Sequence, residues 1–169
     1  NFNAFVNTLV VNFYETFSAS EEALRDDVSK ALSGLPDKSK ERVYSDVIKI
    51  IARRENVATD GKTAVFSFKP TKLSEKAVTF IENVALSDES LSSFYRRMFM
   101  SYASRPQPRR ELIIFKDNYN DLQKAIRKNL QVCIVNKGDE IKNASVYAVA
   151  SSKEELYNYV LSTDGQNLY

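Results

Sequence analysis

The chain has 169 residues, 43% of them hydrophobic, a formal net charge of +2, no histidine and one cysteine. That length admits one domain or two small ones. The composition removes the commonest general base and metal ligand, any disulfide framework and a cysteine-rich zinc site. Four glycines occur, none spaced to cradle a phosphate, and no window approaches the roughly 18–20 apolar residues of a membrane span.

The charge is uneven. Residues 1–35 carry a net of −3, whereas residues 96–128 hold nine basic and three acidic side chains. The middle of the chain should therefore attract an anionic partner. With no histidine, thiol constellation or metal-ligand cluster, no enzyme, cofactor or metal is expected. The single thiol and the lack of a basic start followed by an apolar block point to the cytoplasm, with no membrane partner.

Phe2, Phe5, Val6, Leu9, Val10, Phe13 and Phe17 follow helical spacing over residues 2–17. So wide an aromatic stripe needs a partner helix or a second copy of the chain, and Phe2, Phe5, Leu9 and Phe13 are the candidate dimer contacts. Ser18 to Glu21 reads as a capping box that opens a second helix running to about Leu32, stopped by Gly34 and Pro36. A third helix fits Lys38 to Arg54, with Val43, Val47, Ile48 and Ile51 as its stripe. Alternation over Thr63–Lys69 predicts a strand paired with Asn56–Thr59, and a helix followed by such a hairpin outlines a winged helix, the alternative being an irregular α+β connector.

Leu73, Ala77, Phe80, Ile81 and Val84 mark a fourth helix. Leu91, Phe94, Tyr95, Met98, Phe99 and Tyr102 mark a fifth, begun by Ser87-Asp88-Glu89, with Arg96 and Arg97 off its stripe. Pro106 and Pro108 forbid its continuation. The apolar run Leu112–Phe115 is strand or helix. A sixth helix spans Asp117 to Lys128. Strands follow at Gln131–Val135 and Asn143–Ala150, and Cys133 in the first is expected to be buried. Tyr157, Tyr159 and Leu161 share a face if extended. Asp164-Gly165 signals a hairpin whose next strand would begin near Asn167, so a small barrel would be left incomplete.

Several segments together resemble the WYL-domain regulators of bacteria, in the subgroup common among Firmicutes. They are Leu91-Ser92-Ser93-Phe94-Tyr95-Arg96-Arg97-Met98-Phe99 with Ser101-Tyr102-Ala103, then Arg110-Glu111-Leu112-Ile113-Ile114-Phe115, the helix with Ala125-Ile126, the strand Gln131–Val135, and Ser152 to Leu161. The Trp-Tyr-Leu tripeptide that names the family is replaced here by Tyr159-Val160-Leu161 or Asn158-Tyr159-Val160. Asn3 to Leu9 and the helix–Ser–helix after it look like a ribbon-helix-helix module whose reading strand would precede Asn1. The resemblance implies a homodimeric regulator with an amino-terminal DNA-binding part and an Sm-like barrel that senses a nucleotide or single-stranded nucleic acid. Some WYL proteins instead accompany RNA-guided CRISPR ribonucleases and bind single-stranded RNA, which makes such an effector a second possible partner.

The expected architecture is therefore α+β. Residues 1–35 form a ribbon-helix-helix-like module, 36–110 a helical, winged-helix-like region, and 111–169 a partial WYL barrel, Sm-like or SH3-like. Arginine's fork suits phosphate oxygens, so Arg96, Arg97, Arg105, Arg109, Arg110, Lys116, Arg127 and Lys128 are candidate contacts to DNA or RNA. Tyr147, Tyr157 and Tyr159 are candidate base-stacking residues.

Overall fold

No glycine or proline interrupts residues 2–31, and a single helix, α1 (Phe2–Ala31), runs through them. The computed structural model describes residues 1–57, 67–85, 90–136, 138–154 and 156–169. The break expected at Ser18 is absent, and with it the helix–Ser–helix of a ribbon-helix-helix module. Ser20 turns its hydroxyl back to the Thr16 carbonyl at 3.0 Å, an in-helix bond rather than a cap. With no stop residue nearby, the backbone ladder outcompetes the local capping signal.

The chain divides into two compact units, Asn1–Ser104 and Arg105–Tyr169. The first holds α1, α2 (Asp37–Val57), α3 (Glu75–Phe80), a π-helical turn (Ile81–Ala85) and α4 (Leu91–Ala103). Its core gathers Val6, Leu9, Val10, Phe13 and Phe17 of α1 against Ala77, Val78 and Ile81, and Phe94 and Met98 of α4. Edge-on rings join the helices, Phe17 to Phe94 at 5.4 Å and Phe13 to Tyr102 at 6.1 Å. Ser90 caps α4 by accepting from the Ser93 amide.

Asn7, buried in α1, ties down the segment that leads into α3. Its Nδ2 donates to the carbonyls of Asn3 and Lys69, and its Oδ1 accepts from the Thr71 amide and the Ser74 hydroxyl. Of the hairpin expected in this region, residues 58–66 lie outside the described residues. Asn56 and Val57 belong to α2, and Ser67–Lys69 is not in a strand.

The second unit begins with two helices. Pro106 caps α5 (Gln107–Ile114) and Pro108 sits in its first turn. There a proline costs nothing, because the first-turn amides have no partner in the helix. The apolar run Leu112–Ile114 is thus helical. α6 (Lys116–Lys128) follows and ends on Asn129 in the left-handed region, φ 49°.

β1 (Gln131–Asn136), β2 (Asp139–Ser151) and β3 (Asn158–Thr163) then form an antiparallel meander in that order. The sheet is open, not a closed barrel. Asn136 pairs with Asp139, a turn tight enough to need Gly138 at φ 99°. After Asp164-Gly165 the chain doubles back, and the amides of Ser162 and Tyr169 each donate to the other's carbonyl, at 3.0 and 2.8 Å.

α6 packs on β2 and so covers one sheet face, where Ala125, Ala144, Val146 and Ser162 are buried. The other face carries Cys133, Val135, Tyr159 and Leu161, all exposed. Cys133 is therefore not the buried thiol its apolar neighbours suggested: strand alternation turns it to the uncovered face.

Candidate nucleic-acid interface

The cationic candidates divide between the units. Arg96 and Arg97 stand on α4 of the first, and the other six belong to the second. Arg96 is exposed. Arg97 is buried, its guanidinium paired with Glu21 of α1 and lying over the Phe17 ring. Its assignment to an anionic partner is corrected accordingly, since a neighbouring helix already supplies its counter-charge. The Tyr44 hydroxyl of α2 donates to the same Glu21 carboxylate at 3.4 Å, and the tyrosine takes Arg25 over its ring. Burial, and then the Glu21 charge, raise the Tyr44 pKa. These side chains fasten three helices.

The four residues expected to dimerise the chain also separate. Leu9 and Phe13 are spent inside their own unit, at 1% and 0% exposure, whereas Phe2 and Phe5 are exposed.

In the second unit the decisive side chain is Glu111, the acid embedded in the basic segment. Neighbouring arginines would be its natural partners, but it faces β3 instead. Its Oε2 accepts from the Asn158 amide at 2.9 Å and from Asn158 Nδ2 at 3.0 Å, while its Oε1 accepts from Gln107 at 3.3 Å. Asn158 Nδ2 also donates to the Pro108 carbonyl at 2.7 Å, and Asn158 Oδ1 accepts from the Ser151 hydroxyl at 2.9 Å.

The consequence falls on the cations. None of Arg109, Arg110, Lys116, Lys124, Arg127 and Lys128 forms an ion pair among the described residues. Arg110 keeps a buried Nε with no hydrogen-bond partner. Arg109 is exposed and Arg105 is half-buried. On α6, Lys116, Asn120, Lys124 and Arg127 are exposed at spacings of four, four and three, a row about 16 Å long at helical rise. Lys124 was missing from the sequence-derived set, though its spacing from Lys116 announced it. Lys128 is exposed beside the row.

Tyr147, Tyr157 and Tyr159 are 58%, 52% and 48% exposed. Tyr159 lies on the open sheet face, opposite the one α6 covers, and Tyr147 lies beside a bulge where the β2–β3 register shifts between Val146 and Ala148. The α6 cations and Tyr159 thus stand on opposite sides of the sheet. The clasp ties α5, which bears Arg109 and Arg110, to β3 at its first residue, Asn158. Tyr157 is held in place by Ser152, whose hydroxyl accepts from the amides of Leu156 and Tyr157.

Cys133 donates to Glu140 Oε1 at 3.1 Å, and that carboxylate raises its pKa. The thiol is accordingly not an activated nucleophile. No group of three or more His, Cys, Asp and Glu side chains is placed to hold a metal ion among the described residues. No helix among them is long and apolar enough to cross a membrane. No protein-family model matches the chain, and neither does any curated protein or solved structure.

Proposed function

We propose that the chain is a nucleic-acid-binding regulatory protein of the WYL type, which contacts a nucleotide or a single strand through its carboxyl-terminal unit. The observation that carries this reading is the disposition of Glu111. Its carboxylate is committed to Asn158, so Arg109 and Arg110 keep their charge for a partner. The cationic row of α6 adds sequence-independent attraction to phosphates, and exposed tyrosines suit unpaired bases, which alone offer a free π-face.

That preference for unpaired bases also favours a second reading, an accessory that binds single-stranded RNA and modulates an RNA-guided CRISPR ribonuclease. A titration series with duplex DNA, single-stranded DNA and single-stranded RNA, each at two salt concentrations, tests both. Single strands should bind more tightly than duplex, and binding should weaken steeply with salt. A preference for RNA would select the second reading. Equal, salt-insensitive binding to all three, or none, would overturn both.

A further inference from the structure

The two outer edges of the carboxyl-terminal sheet differ. That of β3 is met by the returning chain, where Ser162 and Tyr169 exchange backbone bonds and Thr163 pairs with Leu168. β1 is the other outer strand, and among the described residues no backbone bond reaches it beyond its ladder with β2. Asn136 and Asp139 close the hairpin as a bonded pair, so the Asn136 amide and carbonyl point to β2. Alternation then turns the backbone groups of Gln131, Cys133 and Val135 outward, and the side chains of all three are exposed. Open edges commonly carry a lysine, a proline or a bulge against strand addition. β1 reads Gln-Val-Cys-Ile-Val-Asn, with no charge and no proline, and the extra residue at its register shift belongs to β2.

We infer that this edge takes a second copy of the chain, β1 antiparallel to β1, to make one continuous sheet across a two-fold axis. Charge permits that occupant. An uncharged strand faces itself without repulsion, and Glu140 and Lys142, one strand further in, pair with each other at 3.5 Å. Register favours it as well. A two-fold axis normal to the sheet keeps both α6-covered faces on one side, and full overlap of residues 131–135 then centres the axis on Cys133. Its amide and carbonyl exchange bonds with those of Cys133 in the second copy, with Cα atoms about 5.5 Å apart. Val132 meets Ile134 on the covered face. Both are only half-buried within one copy, and each gains apolar cover from the other. One short strand a side is small beside the roughly 20–30 residues of a standard interface, so the dimer is weak and concentration-dependent.

The test sediments the full chain at rising concentration, alone and with a short bismaleimide that joins two thiols. Cys133 is the only cysteine, so a covalent dimer reports its approach to its own copy. A reversible monomer–dimer equilibrium is expected, with covalent product appearing as the dimer does. Val135→Pro removes an outward amide and leaves the β1–β2 ladder intact. Two backbone bonds are lost across the axis, so dimerisation should weaken by at least about tenfold with an unchanged circular dichroism spectrum. Phe5→Asp, in the other unit, should sediment and crosslink like wild type.

A chain that stays monomeric at every concentration would overturn the proposal. So would a dimer that yields no covalent product, that survives in folded Val135→Pro, or that disappears in folded Phe5→Asp. Should Val135→Pro fail to fold, Cys133→Lys sets like charges opposite each other across the axis and should abolish the dimer, whereas Cys133→Ser should keep it. A dimer that persists in Cys133→Lys would refute the pairing equally.

Discussion

Single side chains decide what the charged groups of this protein can do. Arg97 and Glu21 form a pair with little exposure, 10% and 22% of their side chains. Removing one partner leaves the other uncompensated, so Arg97→Ala should cost on the order of 2 kcal/mol, somewhat below a fully buried pair because water still reaches Glu21. Urea denaturation measures it, and a loss below about 0.5 kcal/mol would place the pair among ordinary surface bridges. Asp164 makes a second prediction. The amides of Asn167 and Gln166, and then the Tyr169 hydroxyl, donate to its carboxylate and hold its pKa well below the usual range. A folded pKa that is depressed means the turn gains stability above the unfolded aspartate value of about 3.9 and loses it as pH falls through the lower folded one. Carbon-detected NMR should find Asp164 still ionised at pH 3, and an ordinary midpoint would remove the contribution. At the alkaline end, burial and then Glu82 push Tyr95 up to about 12. Its share of stability, present below pH of about 10, should fade as pH climbs through that folded value.

At the scale of elements, the amphipathic periods of α4 and α6 and the alternation of β1 to β3 were legible in the sequence, because each depends on neighbours within a few residues. Two local signals misled, each for a definable reason. Ser18 to Glu21 matches a capping box, but a cap competes with the helix only where something stops the preceding turn, and nothing does. Ser18→Ala should therefore change stability by less than about 0.5 kcal/mol, against roughly 1 kcal/mol for a true N-cap. Thermal denaturation distinguishes the two, and a full cap-sized loss would restore the two-helix reading. Pro106 and Pro108 do stand beyond the end of α4, as expected, and the same fixed φ starts α5, whose apolar run the sequence left open as strand or helix. Cys133 sits among apolar residues, but which strand face a layer covers is set by the distant α6. Glu111 and Asn158 are 47 positions apart, and no local pattern announces a contact of that range. The cationic segment was therefore readable as charge, whereas the fate of its one acid was not.

For the whole molecule, a strongly basic stretch divides between two units that use it differently. The helical unit consumes Arg97 internally. The carboxyl-terminal unit keeps Arg109, Arg110 and the α6 row unpaired. Dimerisation, if the chain forms dimers, cannot draw on Leu9 and Phe13, which fill their own core. Phe13→Asp should thus unfold the helical unit, while Phe5→Asp should leave it folded. Circular dichroism with sedimentation separates these outcomes, and a folded Phe13→Asp monomer would return that side chain to an interface.

The central claim is that Arg109 and Arg110 face a polyanion rather than a carboxylate. The slope of log affinity against log salt for a single-stranded oligonucleotide, compared between wild type and Arg109→Ala/Arg110→Ala, tests it most directly. Each neutralised phosphate contributes about 0.7 to that slope on single strands, so losing two contacts should lower its magnitude by about 1.4. A folded double variant with the wild-type slope and affinity would contradict the account.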